Sequence, residues 1–179
     1  MELQELNVSL INTKDEICQK FGFTCTQVPI ANWPSDDTKF LLADEVFEIA
    51  KQLIERFRPD LRSYTIGYVF KQKASKKGDG YTLGQAKVES DLQKTLHGYD
   101  ATIIIGFDTW LELEIDQKFR LIHHELQHYE VDPEKDKLVI VDHVTKEFPA
   151  TIEIFGPGDD SDVAFIRAYQ KFQKDNGRF

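Results

Sequence analysis

Apolar residues recur at helical spacing in "ADEVFEIAKQLIERFRPDL", where Val46, Ile49, Ala50, Leu53, Ile54 and Phe57 share one face and Pro59 stops the run. The period changes to two in "SYTIGYVFKQK". There Tyr64, Ile66, Tyr68 and Phe70 alternate with smaller or polar residues, which predicts a strand. "ASKKGDG" reads as its turn and "YTLGQAKVES" as the returning strand of a hairpin. "DATIIIGFD" is short, nearly all apolar and β-branched, the pattern of a buried or half-buried strand. From about Trp110 to Tyr129, the residues Ile115, Phe119, Ile122, Leu126 and Tyr129 repeat at steps of four, three, four and three. That stripe predicts a core-facing helix, closed by Asp132-Pro133. "KLVIVD" is a further short strand, and "DDSDVAFIRAYQKFQKDNG" a last amphipathic helix capped by Asp160 or Ser161 and ended by Asn176-Gly177. "EICQKFGFTC" fits a short helix ending near Gly22. "HVTKEFPATIEIFG" stays ambiguous, because Pro149 permits a helix start but not an interior.

Helices and strands neither alternate strictly nor segregate, so the expected class is α+β. A length of 179 residues, 41% hydrophobic and 30% charged, suits one globular domain spanning residues 1–179. No apolar run approaches the roughly 20 residues that span a bilayer. The start "MELQELNVSLINTKDE" lacks a basic n-region and an apolar h-region. With only Cys18 and Cys25, which do not form a CxxC, this favours two free thiols in a cytoplasmic protein that does not engage membranes. A net charge of −9 argues against general affinity for nucleic acid. The cluster Lys71, Lys73, Lys76 and Lys77 reads as a solvated turn.

Chemistry concentrates in "LIHHELQHYE". His124-Glu125-Leu126-Gln127-His128 is an H-E-x-x-H. Residues advance about 100° each on a helix, so His124 and His128 lie about 40° apart, one turn above the other. Two imidazoles so placed can share one zinc ion, and Glu125 beside them can act as general base. His123 falls about 140° from His128 and reads as a surface residue or one that supports the ligands from behind. A catalytic zinc needs a third protein ligand. The metzincin extension fails, because Val131 and Glu134 stand where its Gly and third His would be. Residue types favour His143 after "KLVIV", with Glu147 and Asp142 as alternatives. Tyr129, Tyr99 and His97 are candidates for oxyanion or substrate contact.

The residues from about 43 to 156 resemble the phage metallopeptidases, a zincin-like family. The resemblance rests on "LIHHELQHYE", the helix "VFEIAKQLIERFRPDL", "LGQAKVES", "ATIIIGFDTW" and "VDHVTKEF". Members follow the HELxH helix with a His-Asp-x-x-x-F segment. Here His143 and Phe148 match it, and Val144 replaces the acid. The resemblance implies a zincin-like α+β fold, with a small mixed or antiparallel sheet, an HExxH helix and flanking helices. Residues 1–40 would be an N-terminal extension and 157–179 a C-terminal helix. It further implies His124, His128 and His143 as ligands of Zn2+, and "ATIIIGF" as the edge strand that holds substrate. A more distant likeness is to SprT-like zinc proteases.

The leading expectation is a phage or prophage zinc metallopeptidase acting on a peptide or protein, such as a host protein, in the host cytoplasm. One rival is an acidic binding or inhibitor protein directed at a host factor, with structural or vestigial zinc. Another is a DNA-associated SprT-like protease using the Lys71–Lys77 turn.

Overall fold

The computed structural model describes residues 16–24, 33–77, 80–142 and 148–156. In chain order the elements are α1 (Glu16–Phe21), β1 (Phe40–Leu42), α2 (Asp44–Phe57), β2 (Ile66–Lys71), β3 (Ser75–Lys77), β4 (Gly80–Thr82), β5 (Gly84–Val88) and α3 (Asp91–His97). They continue with β6 (Ala101–Gly106), α4 (Phe107–Trp110), α5 (Ile115–Gln127), β7 (Tyr129–Asp132), β8 (Lys137–Ile140) and α6 (Pro149–Phe155). The class is α+β, as the sequence predicts. The last predicted helix, over 160–177, lies outside the described residues.

The main sheet has the order β1-β2-β6-β5. The pair β2–β6 is parallel, and β1–β2 and β5–β6 are antiparallel. The expected hairpin between β2 and "YTLGQAKVES" is therefore not formed, because β6 lies between them. Composition explains the order. Ala101, Ile103 and Ile105 are fully buried on one face of β6 and Ile104 is apolar on the other, which suits a central strand. β5 exposes Gln85 and Lys87, which suits an edge. "ATIIIGF" is thus paired on both sides, and the edge beside the helices is β5. The predicted turn "ASKKGDG" is itself part of a small hairpin, β3–β4.

One face of the sheet carries Ile66, Tyr68, Phe70, Ile103 and Ile105 into the core, where they meet Val46 and Leu53 of α2 and Phe119, Ile122 and Leu126 of α5. α2 spans the predicted residues, and Pro59 opens a 3₁₀ turn behind it. The helix expected over 110–129 is split. α4 stops at Trp110, and α5 starts afresh where Gln117 reaches back to accept from the Glu114 N–H at 2.9 Å. α5 also ends two residues earlier than expected, and Tyr129 opens β7.

Two further elements differ from the sequence reading. α3 arises from a Ser90–Gln93 capping box and a left-handed Gly98 (φ 79°), and buries no residue. α6 takes Pro149 at its first turn, which resolves the ambiguous "FPATIEIF". At the other end of the chain α1 stops before Gly22, as predicted. Phe23 stacks on Phe119 of α5 at 4.7 Å, and Phe21 meets Phe57 of α2 edge-on.

Candidate metal centre

The helix α5 is fixed at both ends before it presents any chemistry. Near its start, Lys118 donates to Glu45 Oε1 at 2.9 Å and Trp110 Nε1 donates to Glu45 Oε2 at 3.0 Å, all three groups being buried. Its C-terminal carbonyls would otherwise point unsatisfied into the fold. Arg58 donates to the Leu126 carbonyl and, at 2.6 Å, to that of Tyr129, while Asp60 grips the same guanidinium at 2.7 Å. A cation at this end also complements the helix dipole. Sequence pattern alone gave no sign of this clamp, because Arg58 lies about seventy residues from the carbonyls it caps.

His124 and His128 emerge from this anchored end, half-buried, with ring centroids 5.1 Å apart. The His128 Nδ1–H donates to the Val141 carbonyl at 2.8 Å. A carbonyl can only accept, so in the neutral ring the lone pair sits on Nε2, the form that ligates a metal. The ring of Phe148 packs edge-on against both imidazoles, 5.3 Å from His124 and 4.8 Å from His128. Glu125 is buried, 3% exposed, and its carboxylate lies against the backbone of Gly84 at the head of β5. A Cβ at position 84 would stand 2.7 Å from Glu125 Cδ and 2.9 Å from Cγ, so the absent side chain is what leaves room for the acid.

The other candidates separate cleanly. His123 is not at the surface but fully buried, against Phe57 of α2 and Phe155 of α6. The Gln127 amide nitrogen, 3.2 Å away, can only donate, so His123 Nε2 accepts and Nδ1–H donates to Thr151 Oγ1 at 2.9 Å. Tyr129 is buried too. Its hydroxyl donates to the backbone carbonyls of Lys87 and Thr102, tying α5's exit to the sheet. Burial above all, together with the neighbouring Glu125 and Glu89 carboxylates, pushes that hydroxyl's pKa up, so it stays a protonated donor. Tyr99 packs over Gly67, and Gly67 and its neighbour Thr102 alternate with Tyr68 and Ile103 and so point to the sheet face away from α5. His97 leans on Tyr99 at 5.5 Å. Neither accompanies the histidine pair.

Asp142 is exposed, and among the described residues no three His, Cys, Asp or Glu side chains are grouped to hold a metal. His143 and Glu147 lie outside the described residues. Their flanks do not. The Val141 N–H donates to the His128 carbonyl at 2.8 Å, and Phe148 covers the imidazoles. The residues on either side of 143–147, Val141 and Phe148, thus both lie at the histidine pair.

One helix carries two half-buried imidazoles, one of them oriented by a carbonyl, and a buried carboxylate beside an edge strand, in an α+β fold consistent with that of a zincin-like metallopeptidase. The chain belongs to the family described as Putative phage metallopeptidase, whose model matches residues 38–173. That match extends beyond the 43–156 read from the sequence and takes in most of the C-terminal segment expected to lie outside it. No curated protein and no solved structure matches the chain. Among the described residues, no helix is long and apolar enough to cross a membrane.

Proposed function

We propose that the protein is a zinc-dependent peptidase in which His124, His128 and His143 hold the ion and Glu125 is the general base. The observation that carries this reading is the pinning of both flanks of segment 143–147 at the histidine pair. Among the described residues Asp142 is not grouped with the pair, and the two flanks favour segment 143–147 as the source of the third ligand. Within it an imidazole suits zinc better than the Glu147 carboxylate. The donor types fit the metal: imidazoles, one of them with its Nδ1–H held by a carbonyl so that Nε2 is left to ligate, on a partly open face.

Zinc held there would supply a Lewis acid that polarises a carbonyl and brings the pKa of a water down to about 7. The chain's own residues do the rest. Glu125, sheltered from bulk water, takes the proton from the attacking water and returns it to the leaving amine. Phe148 keeps solvent off the two imidazoles.

Substrate is held at β5. The Leu83 carbonyl accepts from Gly106 and the Glu89 N–H donates to Asp100, so alternate residues Gln85 and Lys87 turn their backbone groups towards β6. Those of Gly84, Ala86 and Val88 point outwards and find no partner among the described residues. An extended peptide adding to this edge passes Glu125 at Gly84.

Metal analysis of purified wild type, Glu125→Gln and His143→Ala tests the reading. Glu125→Gln should retain stoichiometric zinc and lose hydrolysis, and His143→Ala should lose zinc. A wild-type protein that takes up no zinc ends the proposal. Full activity in Glu125→Gln would end the assigned role of the acid.

A further inference from the structure

The sheet face opposite α5 carries a group of lysines that the peptidase chemistry does not use. Lys71, Lys73 and Lys87, with Ser75, Thr82 and Gln85, line a pocket of about 130 Å³. All three lysines are exposed, and Lys71 Nζ donates to Ser75 Oγ at 3.0 Å. The lysines at 94, 118, 135 and 137 each face a carboxylate, whereas these three have no ion-pair partner among the described residues. The acids on this side are already engaged. Glu89 accepts from the Thr102 hydroxyl, and Asp108 accepts from the N–H groups of Ala74 and Thr109. In a chain of net charge −9, a pocket lined by three lysines and no carboxylate is a local concentration of positive charge, although Asp108 and Glu89 keep their charge close by.

Its position gives that charge a use. Gln85 and Lys87 stand on the outer face of β5, the strand whose free edge the proposed function assigns to substrate. A peptide strand added there alternates its side chains between the two faces. Residues opposite Gly84 and Ala86 turn towards α5 and Glu125, and those opposite Gln85 and Lys87 turn towards the lysines. Directly opposed residues on paired strands approach to about 5 Å between Cβ atoms, close enough for a charge pair.

We propose that this pocket selects an acidic side chain in the substrate, with Lys87 as the cross-strand partner and Lys71 and Lys73 supplying the field behind it. The inference rests on β5 being the substrate edge. Lys87 lies three residues beyond Gly84, so the selected Asp or Glu sits about 10 Å along the peptide from the point facing Glu125, at the strand rise of about 3.3 Å per residue.

The test is a binding assay that needs no turnover. The full-length Glu125→Gln protein is titrated with labelled extended peptides in which Glu, Gln or Lys is walked along an Ala/Val/Ser sequence. At one position Glu should bind about five- to tenfold tighter than Gln, with Lys weakest. Lys87→Glu should invert that order without moving the melting temperature, since the side chain is exposed. Equal affinity at every position, no binding by any peptide, or a Glu preference that survives both Lys87→Glu and Lys73→Glu overturns the proposal. So does short single-stranded DNA that binds tighter than every Glu peptide and is lost in Lys87→Glu, which would give the face to nucleic acid. Cleavage of unrelated peptides by wild type, without an acid preference, sinks the pocket and leaves the peptidase reading standing.

Discussion

Gly84→Ala probes the close approach between α5 and β5, the helix and edge to which the proposed function assigns catalysis and substrate. The new methyl would stand 2.7 Å from Glu125 Cδ and 2.9 Å from Cγ. Carbon atoms in good contact lie about 3.5–4.0 Å apart, so one side must yield by roughly 1 Å. β5 is pinned to β6 along its length, and Glu125 is 3% exposed, so the carboxylate moves within the protein rather than out into water. A misplacement of about 1 Å at a reacting group costs on the order of a hundredfold in rate. Stability should fall as well, though by less. Gly84 lies in a strand, outside the positive-φ glycines, so alanine would contribute roughly 0.5–1 kcal/mol there, but forcing a methyl against a buried carboxylate costs about 1–3 kcal/mol. The paired expectation is a melting temperature lowered by a few degrees at most, zinc content unchanged, and peptide hydrolysis down by about a hundredfold. Calorimetry, metal analysis and steady-state kinetics on one preparation check all three. Hydrolysis within threefold of wild type would refute the claim that Gly84 exists to seat Glu125. Loss of zinc together with hydrolysis would instead mean that the whole helix had shifted.

Glu45→Ala leaves the buried Lys118 ammonium and the Trp110 N–H without their shared acceptor, at a cost of about 3–5 kcal/mol, or roughly 6–20 °C in melting temperature. A combined Glu45→Leu, Lys118→Met protein should recover most of that loss, and equal damage in both would show that the charge pair is not the cause. Phe148→Ala strips the ring from both imidazoles and should weaken zinc binding about tenfold, measured by competition with a chelator. Burial alone would raise Asp60 and Asp100, but Arg58 on the first, and Lys94 with the Thr65 N–H on the second, hold both below the usual carboxylate value. Their contribution is therefore complete above that value and is lost as pH falls through the lower folded ones. The melting temperature should stay level down to about pH 4 and then drop, and Arg58→Met should shrink the acid drop; an unchanged drop would clear the clamp of responsibility.

What could be read from the chain beforehand was whatever depends on near neighbours. The positions of His124, Glu125 and His128 follow from helical pitch alone, and α2 from its apolar stripe and Pro59. Strand order does not follow from pitch. "YTLGQAKVES" looked like the partner of β2 because the two adjoin in sequence, yet a β6 that is apolar on both faces outcompetes it for the central place. That exchange makes β5, not "ATIIIGF", the free edge, and so the strand to which the proposed function assigns substrate. α3 had a legible signal in Ser90, Gln93 and Gly98, but Leu92 and Leu96 are exposed, so no stripe announced it.

The surface placement of His123 fails for a subtler reason, while its alternative, a residue supporting the pair from behind, is not contradicted. An angle measured from His128 says which face His123 takes, not what packs against that face. His123 sits four residues after Phe119 and three before Leu126, so it belongs to the buried flank between α2 and α6. This placement bears on the third ligand. His123, Thr151 and Phe155 fasten α6 to α5, and that junction sets where Phe148 enters against the imidazoles. A chain anchored at Val141 on one side and at the α5–α6 junction on the other has five residues in which to supply a ligand, and only one of them, His143, is an imidazole. If that is the logic of the site, Thr151→Val should loosen zinc without touching any ligand. Its loss of affinity should be about tenfold, and unchanged affinity in a folded Thr151→Val protein would show that the segment is positioned by something other than α6.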